Sequence, residues 1–181
     1  GNIRAGRMTV SLGTSGTLFA SADKPVIDPQ GAVAAFCSST GGWLPLLCTM
    51  NGTVATELTR HLFALDIAQL EHQAAAVPAG SHGVMTLPFF NGERTPNLPR
   101  GKGCIMGLDD RNYSSANLLR SAMEAVVYGL RSELERFREH DCMMSELRLT
   151  GGGSRSAVWR QMVADVFNLP LGVPSVDEGA A

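Results

Sequence analysis

The sequence predicts an α/β fold in which a mixed sheet is covered by helices. Three observations carry that reading. Short apolar runs over residues 8–12, 17–20 and 33–38, separated by Gly- and Pro-containing turns, open the chain as an antiparallel meander would. After Gly41-Gly42 the apolar spacing lengthens to three and four residues, the period of a helix with one buried stripe. Further on, helical and strand-like segments alternate, the order that lays parallel strands beside helices. Alternation alone does not choose between α/β families.

Taken in order, Gly13-Thr14-Ser15-Gly16 joins the first two strands, since glycine supplies the positive φ of a tight connection. Residues 23–31 hold two prolines and read as a loop. Leu46, Leu47, Met50, Val54, Leu58, Leu62 and Phe63 outline one helix, with Asn51-Gly52 inside it. A mid-helix glycine costs about 1 kcal/mol relative to alanine, so it needs a reason. Asp66 stands as the N-cap of a second helix that ends before Pro78. Residues 84–87 and 104–108 read as strands, with an irregular loop over 89–102 between them. The longest helix spans 114–140. Leu118, Leu119, Met123, Val126, Val127, Leu130, Leu134 and Phe137 share one face, and Arg131, Glu135 and Arg138 lie largely off it. A strand over 147–150 runs into Gly151-Gly152-Gly153; a helix follows over 154–168, with Val158, Met162, Val163 and Val166 inward. Residues 169–173 make a last strand.

Composition bounds the function. The 181 residues are 44% hydrophobic and 18% charged, enough apolar material for one core and against disorder. A net charge of -2 and a pI near 6.1 give no general attraction to nucleic acid or to an anionic membrane. No apolar run approaches the ~18 residues of a membrane span, and no secretory leader is visible, so a cytoplasmic location is expected. Cys37, Cys48, Cys104 and Cys142 form no CxxC pair and read as reduced, mostly buried thiols.

Two turns stand out chemically. Gly13-Thr14-Ser15-Gly16 and Gly151-Gly152-Gly153-Ser154 each follow a strand and offer bare backbone N–H groups beside small hydroxyls, an arrangement that suits phosphate oxygens. The second also opens a helix, whose N-terminus adds partial positive charge. Taken singly, each serves equally as a plain tight turn; two in one chain, both carrying Ser or Thr, favour a phosphate ligand. No Gly-Lys-Ser or Gly-Lys-Thr is present, which excludes a P-loop. Gly151, Gly153 and Ser156 come near the dinucleotide pattern GxGxxG, with Asp177 somewhat late for its ribose partner, and define a rival Rossmann-type reading. His61, His72, His82 and His140 have no metal-ligand spacing and read as surface or capping residues, and no metal ligand is assigned. Ser15 does not sit in a GxSxG elbow. Glu93-Arg94 reads as an ion pair bracing its loop or as a substrate contact, and Glu124 as a half-buried, hydrogen-bonded group or a solvated one.

Together these segments resemble the C-terminal lobe of the FGGY carbohydrate kinases. Gly103-x-Ile105-x-Gly107-Leu108, then eight residues, then Asn117-Leu118-x-x-Ser121-Ala122-Met123-Glu124 looks like the family's second signature. Residues 11–16 look like its phosphate turn, and residues 150–159 like its adenosine turn. Asn91-Gly92-Glu93-Arg94-Thr95-Pro96 is similar to the loop of the xylulokinase branch.

The resemblance implies an actin-like, ribonuclease-H-like lobe that binds ATP with Mg2+ in a cleft shared with an N-terminal sugar-binding lobe. The implied reaction is phosphorylation of a sugar, D-xylulose to D-xylulose 5-phosphate. Carried over by position, Gly13, Thr14 and Ser15 would meet the β- and γ-phosphates. Gly52 and Thr56 would line the nucleotide pocket, Gly151, Gly152 and Gly153 would approach the α-phosphate or ribose, and Ser156 the adenine. The implied partners are the sugar, ATP and the N-terminal lobe of the same enzyme; a homodimer stays open, and neither nucleic acid nor membrane is expected. The family's catalytic Asp belongs upstream of the phosphate turn, and residues 1–11 contain none, so no catalytic residue is assigned. Residues 1–181 therefore read as one lobe of a sugar kinase that stops at the start of its last helix, inactive alone. The other reading is a non-catalytic nucleotide-binding module of actin-like or Rossmann-like type.

Overall fold

The computed structural model describes residue 4 and residues 6–175. Asp177 and the segment 178–181, which enter the sequence argument, lie outside the described residues. A six-stranded sheet carries the molecule: β1 (Arg7–Leu12), β2 (Gly16–Ala20), β3 (Ala34–Cys37), β4 (Trp43–Cys48), and, late in the chain, β7 (Glu146–Thr150) and β8 (Leu171–Gly172). The spatial order is β3-β4-β2-β1-β7-β8. Pairing is antiparallel among β1, β2, β4 and β3, and parallel from β1 to β7 to β8. Helices α1 (Val54–Leu62), α2 (Ile67–Ala76), α3 (Ser115–Glu139) and α4 (Ala157–Phe167) accompany it. A separate hairpin of β5 (Met85–Leu87) and β6 (Cys104–Met106) packs on α3.

The core sits between one face of the sheet and the helices. Met8, Val10 and Leu12 of β1, Leu18 of β2 and Leu147 and Leu149 of β7 are fully buried, alternating along their strands as period-two side chains must. Against them lie Leu119, Met123, Val127, Leu130, Leu134 and Phe137 of α3, the stripe read from the sequence. Ser114 caps α3 by accepting the Asn117 N–H, and Asp66 caps α2 in a reciprocal capping box with Gln69.

The structure corrects four sequence readings. The first predicted helix starts too early: residues 43–48 form β4, and α1 begins only at Val54. A continuous apolar run fits both periods, and pairing to two neighbours decides for the strand. Pro45, which has no N–H to give, is opposed only by β3, since pairing with β2 starts at Leu46. The antiparallel half is thus not a three-stranded meander, because β4 inserts between β2 and β3. Leu58 and Leu62 of α1 and Phe63 just after it, all expected inward, are 46%, 76% and 37% exposed, and Ala55 and Thr56 are buried instead. Finally, no cysteine is fully buried: Cys37 and Cys104 are exposed, Cys48 and Cys142 half-buried, all four free.

The proline-containing loop before β3 is ordered by one carboxylate. Asp28 accepts the N–H groups of Gln30 and Ala32 at 2.8 Å each and of Val33 at 3.0 Å, with the His140 ring 3.8 Å away. Burial opposes its charge, but the three backbone donors and His140 outweigh burial and hold the carboxyl below its ordinary value. A lowered folded pKa means stability that is present above the unfolded pKa of about 3.9 and lost as pH falls through the folded value. Asp28→Asn is therefore expected to unfold more easily at pH 7, and its deficit to shrink as the pH drops below about 4. Urea unfolding of both proteins from pH 7 to pH 2 checks this; a deficit independent of pH contradicts it.

Candidate functional site

The two Gly-rich turns meet because β1 and β7 are parallel neighbours. Their register pairs Ser11 with Thr150, so both strands end together and release their turns side by side. Contact is tight enough to require glycine. A Cβ on Gly151, whose φ is +83°, would lie 2.5 Å from the Leu12 carbonyl oxygen, and one on Gly153 would lie 2.8 Å from the Leu12 Cβ.

Behind the first turn lies the connection from β4 to α1. The Gly52 N–H donates to the Thr14 carbonyl at 2.9 Å, and the Thr53 N–H to the Gly13 carbonyl at 2.8 Å. The Thr53 hydroxyl donates to that same Gly13 oxygen at 3.0 Å. A Cβ on Gly52 would come within 2.5 Å of the Gly13 oxygen and the Ser15 carbonyl carbon. This contact is why a glycine stands here. Asn51-Gly52 precedes α1 rather than interrupting it, which corrects the mid-helix placement.

With those carbonyls tied back, the N–H groups of Thr14 and Ser15 have no protein acceptor among the described residues. Neither do those of Gly152 and Gly153, which open the 3₁₀ turn Gly152–Arg155. The long helix predicted from residue 154 is thus broken: α4 starts at Ala157, and Ser156 caps it by accepting the Trp159 N–H at 3.1 Å. Thr150 Oγ1, at the end of β7, is buried without a hydrogen-bond partner among the described residues.

A cavity of about 790 Å³ opens between the turns. Of the nine residues singled out from the sequence, Gly13, Thr14, Thr56, Gly152, Gly153 and Ser156 line it. Ser15, Gly52 and Gly151 do not; they shape the turns from behind. Sequence reasoning passed over Thr53, Glu57, Ile67, Leu70 and Glu71, which also line the cavity; Arg155 and Trp159, part of the adenosine-turn motif but given no role of their own, line it too. Ile67, at the start of α2, is 68% exposed, an exposure that a single sequence does not reveal. The lining combines unpaired backbone donors of both turns with the apolar side chains of Ile67, Leu70 and Trp159, and carries the Glu57 and Glu71 carboxylates beside them; donors and apolar wall together suit a phosphorylated ligand with a flat, apolar base.

A second cavity of about 390 Å³, between β5 and α3, is lined mainly by apolar side chains and contains neither glycine turn. Glu93, on the loop between β5 and β6, reaches its wall but makes no ion pair with the Arg94 side chain; its carboxylate accepts the Arg94 N–H instead. The buried Glu124 takes the N–H of Gly80, the hydroxyl of Ser81 and the guanidinium of Arg120, each at 2.9 Å. It is a hydrogen-bonded structural group, as one of its two readings held. His82 meets the Asn117 side chain, His140 follows α3, and His61 and His72 are exposed. Among the described residues no group of three or more His, Cys, Asp or Glu could hold a metal ion, and no helix is long and apolar enough to cross a membrane. The half-antiparallel sheet is not the doubly wound parallel sheet of a Rossmann domain, so that rival reading falls.

Comparison with known proteins agrees with the geometry. The family model for the C-terminal domain of the FGGY family of carbohydrate kinases matches residues 8–181. A xylulose kinase of Haemophilus influenzae is 46% identical over 181 residues, 100% of this chain and 37% of that protein. A gluconokinase of Bacillus subtilis is 29% identical, with 98% of this chain and 37% of that protein covered. The crystal structure of xylulose kinase from Bifidobacterium adolescentis superposes with a TM-score of 0.88 at 33% identity, covering 97% of this chain and 35% of that one. The chain thus spans little more than a third of the length of these relatives. The α/β lobe with its mixed sheet is the actin-like ATPase fold of these kinases.

Proposed function

This chain belongs to the FGGY family of carbohydrate kinases, and from that premise we propose that it is the ATP-binding lobe of a kinase that phosphorylates D-xylulose. The observation that carries the reading is the shared cavity between the turns at Gly13 and Gly152. In the proposed reaction a sugar hydroxyl oxygen bonds to the γ-phosphorus of ATP, the bond from that phosphorus to the bridging β,γ-oxygen breaks, and ADP leaves. Such transfer depends on positioning and charge neutralisation more than on covalent help from the protein.

Within this lobe the free N–H groups of Thr14 and Ser15 would receive the β- and γ-phosphates. Gly152 leaves the space through which the α-phosphate or ribose passes, since a Cβ there would meet nothing within 4 Å. Ile67, Leu70 and Trp159 would flank the adenine. The Ser156 oxygen is already used as a helix cap, which leaves its O–H as a donor toward the base. Mg2+, held through the nucleotide and not by a cluster of side chains among this lobe's described residues, would supply charge neutralisation when bound. The base that takes the sugar's proton, and most sugar contacts, would come from an N-terminal lobe outside this chain. D-Xylulose is preferred over gluconate because the more similar relative is named xylulose kinase.

Two measurements test this. Titration of the chain with ATP and Mg2+ is expected to show binding without any sugar-dependent ATP turnover. The enzyme that carries this lobe is expected to turn over D-xylulose with the highest kcat/KM in a panel with ribulose, gluconate and glycerol. A gluconate preference overturns the substrate, and binding without turnover in that enzyme would favour the non-catalytic nucleotide-binding module.

A further inference from the structure

We propose that Glu93 is a positioning residue for the phosphate-binding turn, acting through the strap of residues 50–53. The inference rests on the nucleotide-binding reading of that turn. Glu93 lies on the loop between β5 and β6, lines no part of the nucleotide cavity, and is only 4% exposed. A buried carboxylate is costly unless its acceptors are filled, and a carboxylate has only acceptors to offer. Every donor that fills it comes from backbone or amide groups, not from a cation. One oxygen takes the Met50 N–H and, at 2.8 Å, the Arg94 N–H. The other takes the Asn51 side-chain amide at 3.0 Å.

Those partners are the entry to the strap. Asn51 also donates to the Gly92 carbonyl at 2.6 Å, and Thr95 to the Cys48 carbonyl at 3.1 Å, so the Glu93 loop is stitched along the whole segment that precedes Gly52. The next two residues, Gly52 and Thr53, hold the carbonyls of Gly13 and Thr14. Occupying those carbonyls fixes the peptide planes of the turn and hence the direction of the Thr14 and Ser15 N–H groups. Two sets of hydrogen bonds, joined by the covalent backbone of residues 50–53, therefore connect the Glu93 carboxylate to the peptide planes whose donors would meet phosphate. Charge-assisted bonds of this kind are short and directional, which suits a post that must not drift.

The test separates positioning from plain stability. Kd values for ATP with Mg2+ and for adenosine are measured by ligand-observed NMR titration on the chain and on Glu93→Gln. Adenosine has no phosphate, so it reports the base slot alone. The amide turns one acceptor into a donor facing N–H groups, and the expected result is an ATP affinity weakened about tenfold with adenosine affinity unchanged. Equal weakening of both ligands, or no change in either, overturns the proposal. Should Glu93→Gln fail to fold, Asn51→Ala removes the amide link from the other side and is expected to give the same split. A wild-type chain that binds neither ligand instead removes the nucleotide reading itself, a failure distinct from that of Glu93.

Discussion

Gly152→Val is expected to weaken ATP binding by at least about tenfold, equivalent to ~1.4 kcal/mol, while leaving the folded state unharmed. The two halves of this expectation have separate causes. Gly152 is exposed, its φ lies outside the left-handed region, and a Cβ built on it meets no atom within 4 Å. A side chain there strains nothing, and an exposed substitution of this kind costs about 0.5 kcal/mol or less. The space it enters, however, is the cavity between the two turns. Phosphate or ribose passing that turn would collide with the added methyl groups. Calorimetric titration with ATP beside a thermal melt reads both quantities. An unchanged Kd for ATP places the nucleotide elsewhere, and a large fall in the melting midpoint refutes the claim that the position is sterically open.

Gly52→Ala reverses that pattern. Its Cβ would stand 2.5 Å from the Gly13 carbonyl oxygen and from the Ser15 carbonyl carbon. Both are backbone atoms, so no side-chain rotation relieves the overlap, and either the phosphate turn or the strap must move. Overpacking at such a site costs about 1–3 kcal/mol. Because the displaced atoms belong to the turn itself, ATP binding is expected to fall together with stability. Gly13→Ala offers the comparison: its Cβ meets the Ser15 oxygen at an ordinary 3.6 Å, so its loss of stability is expected to be smaller. Urea unfolding of the two variants checks the order. A Gly52→Ala protein with a wild-type midpoint shows that the strap and turn are not packed as described.

The elements that were legible from the sequence are those whose signals are local. The stripe of α3 is long and strictly periodic, and Asp66 announces α2 by capping chemistry that operates within three residues. β4 was illegible because Leu44, Leu46 and Leu47 satisfy helix and strand spacing alike, and only the flanking strands choose between them. The outward rotation of α1 was hidden for a similar reason. Leu58 and Leu62 have core-like spacing, yet the face that packs inward is the small one around Ala55. At the site, the glycines of both turns were readable as candidates, whereas Thr53, Ile67 and Leu70 were not, since nothing in their immediate neighbours marks them as facing a cavity.

The sequence by itself marked the two turns as candidates for an anion, because their glycines and small side chains follow from residue type alone. That those turns lie side by side on one cavity was decided only in three dimensions, by the parallel pairing that sets Ser11 beside Thr150. Glycine's role at position 52 was likewise settled by a neighbour distant in the chain, the Gly13 carbonyl. The physical reason is common to both: backbone chemistry is a property of each residue, but strand register and close approach are properties of pairs that local periodicity does not encode.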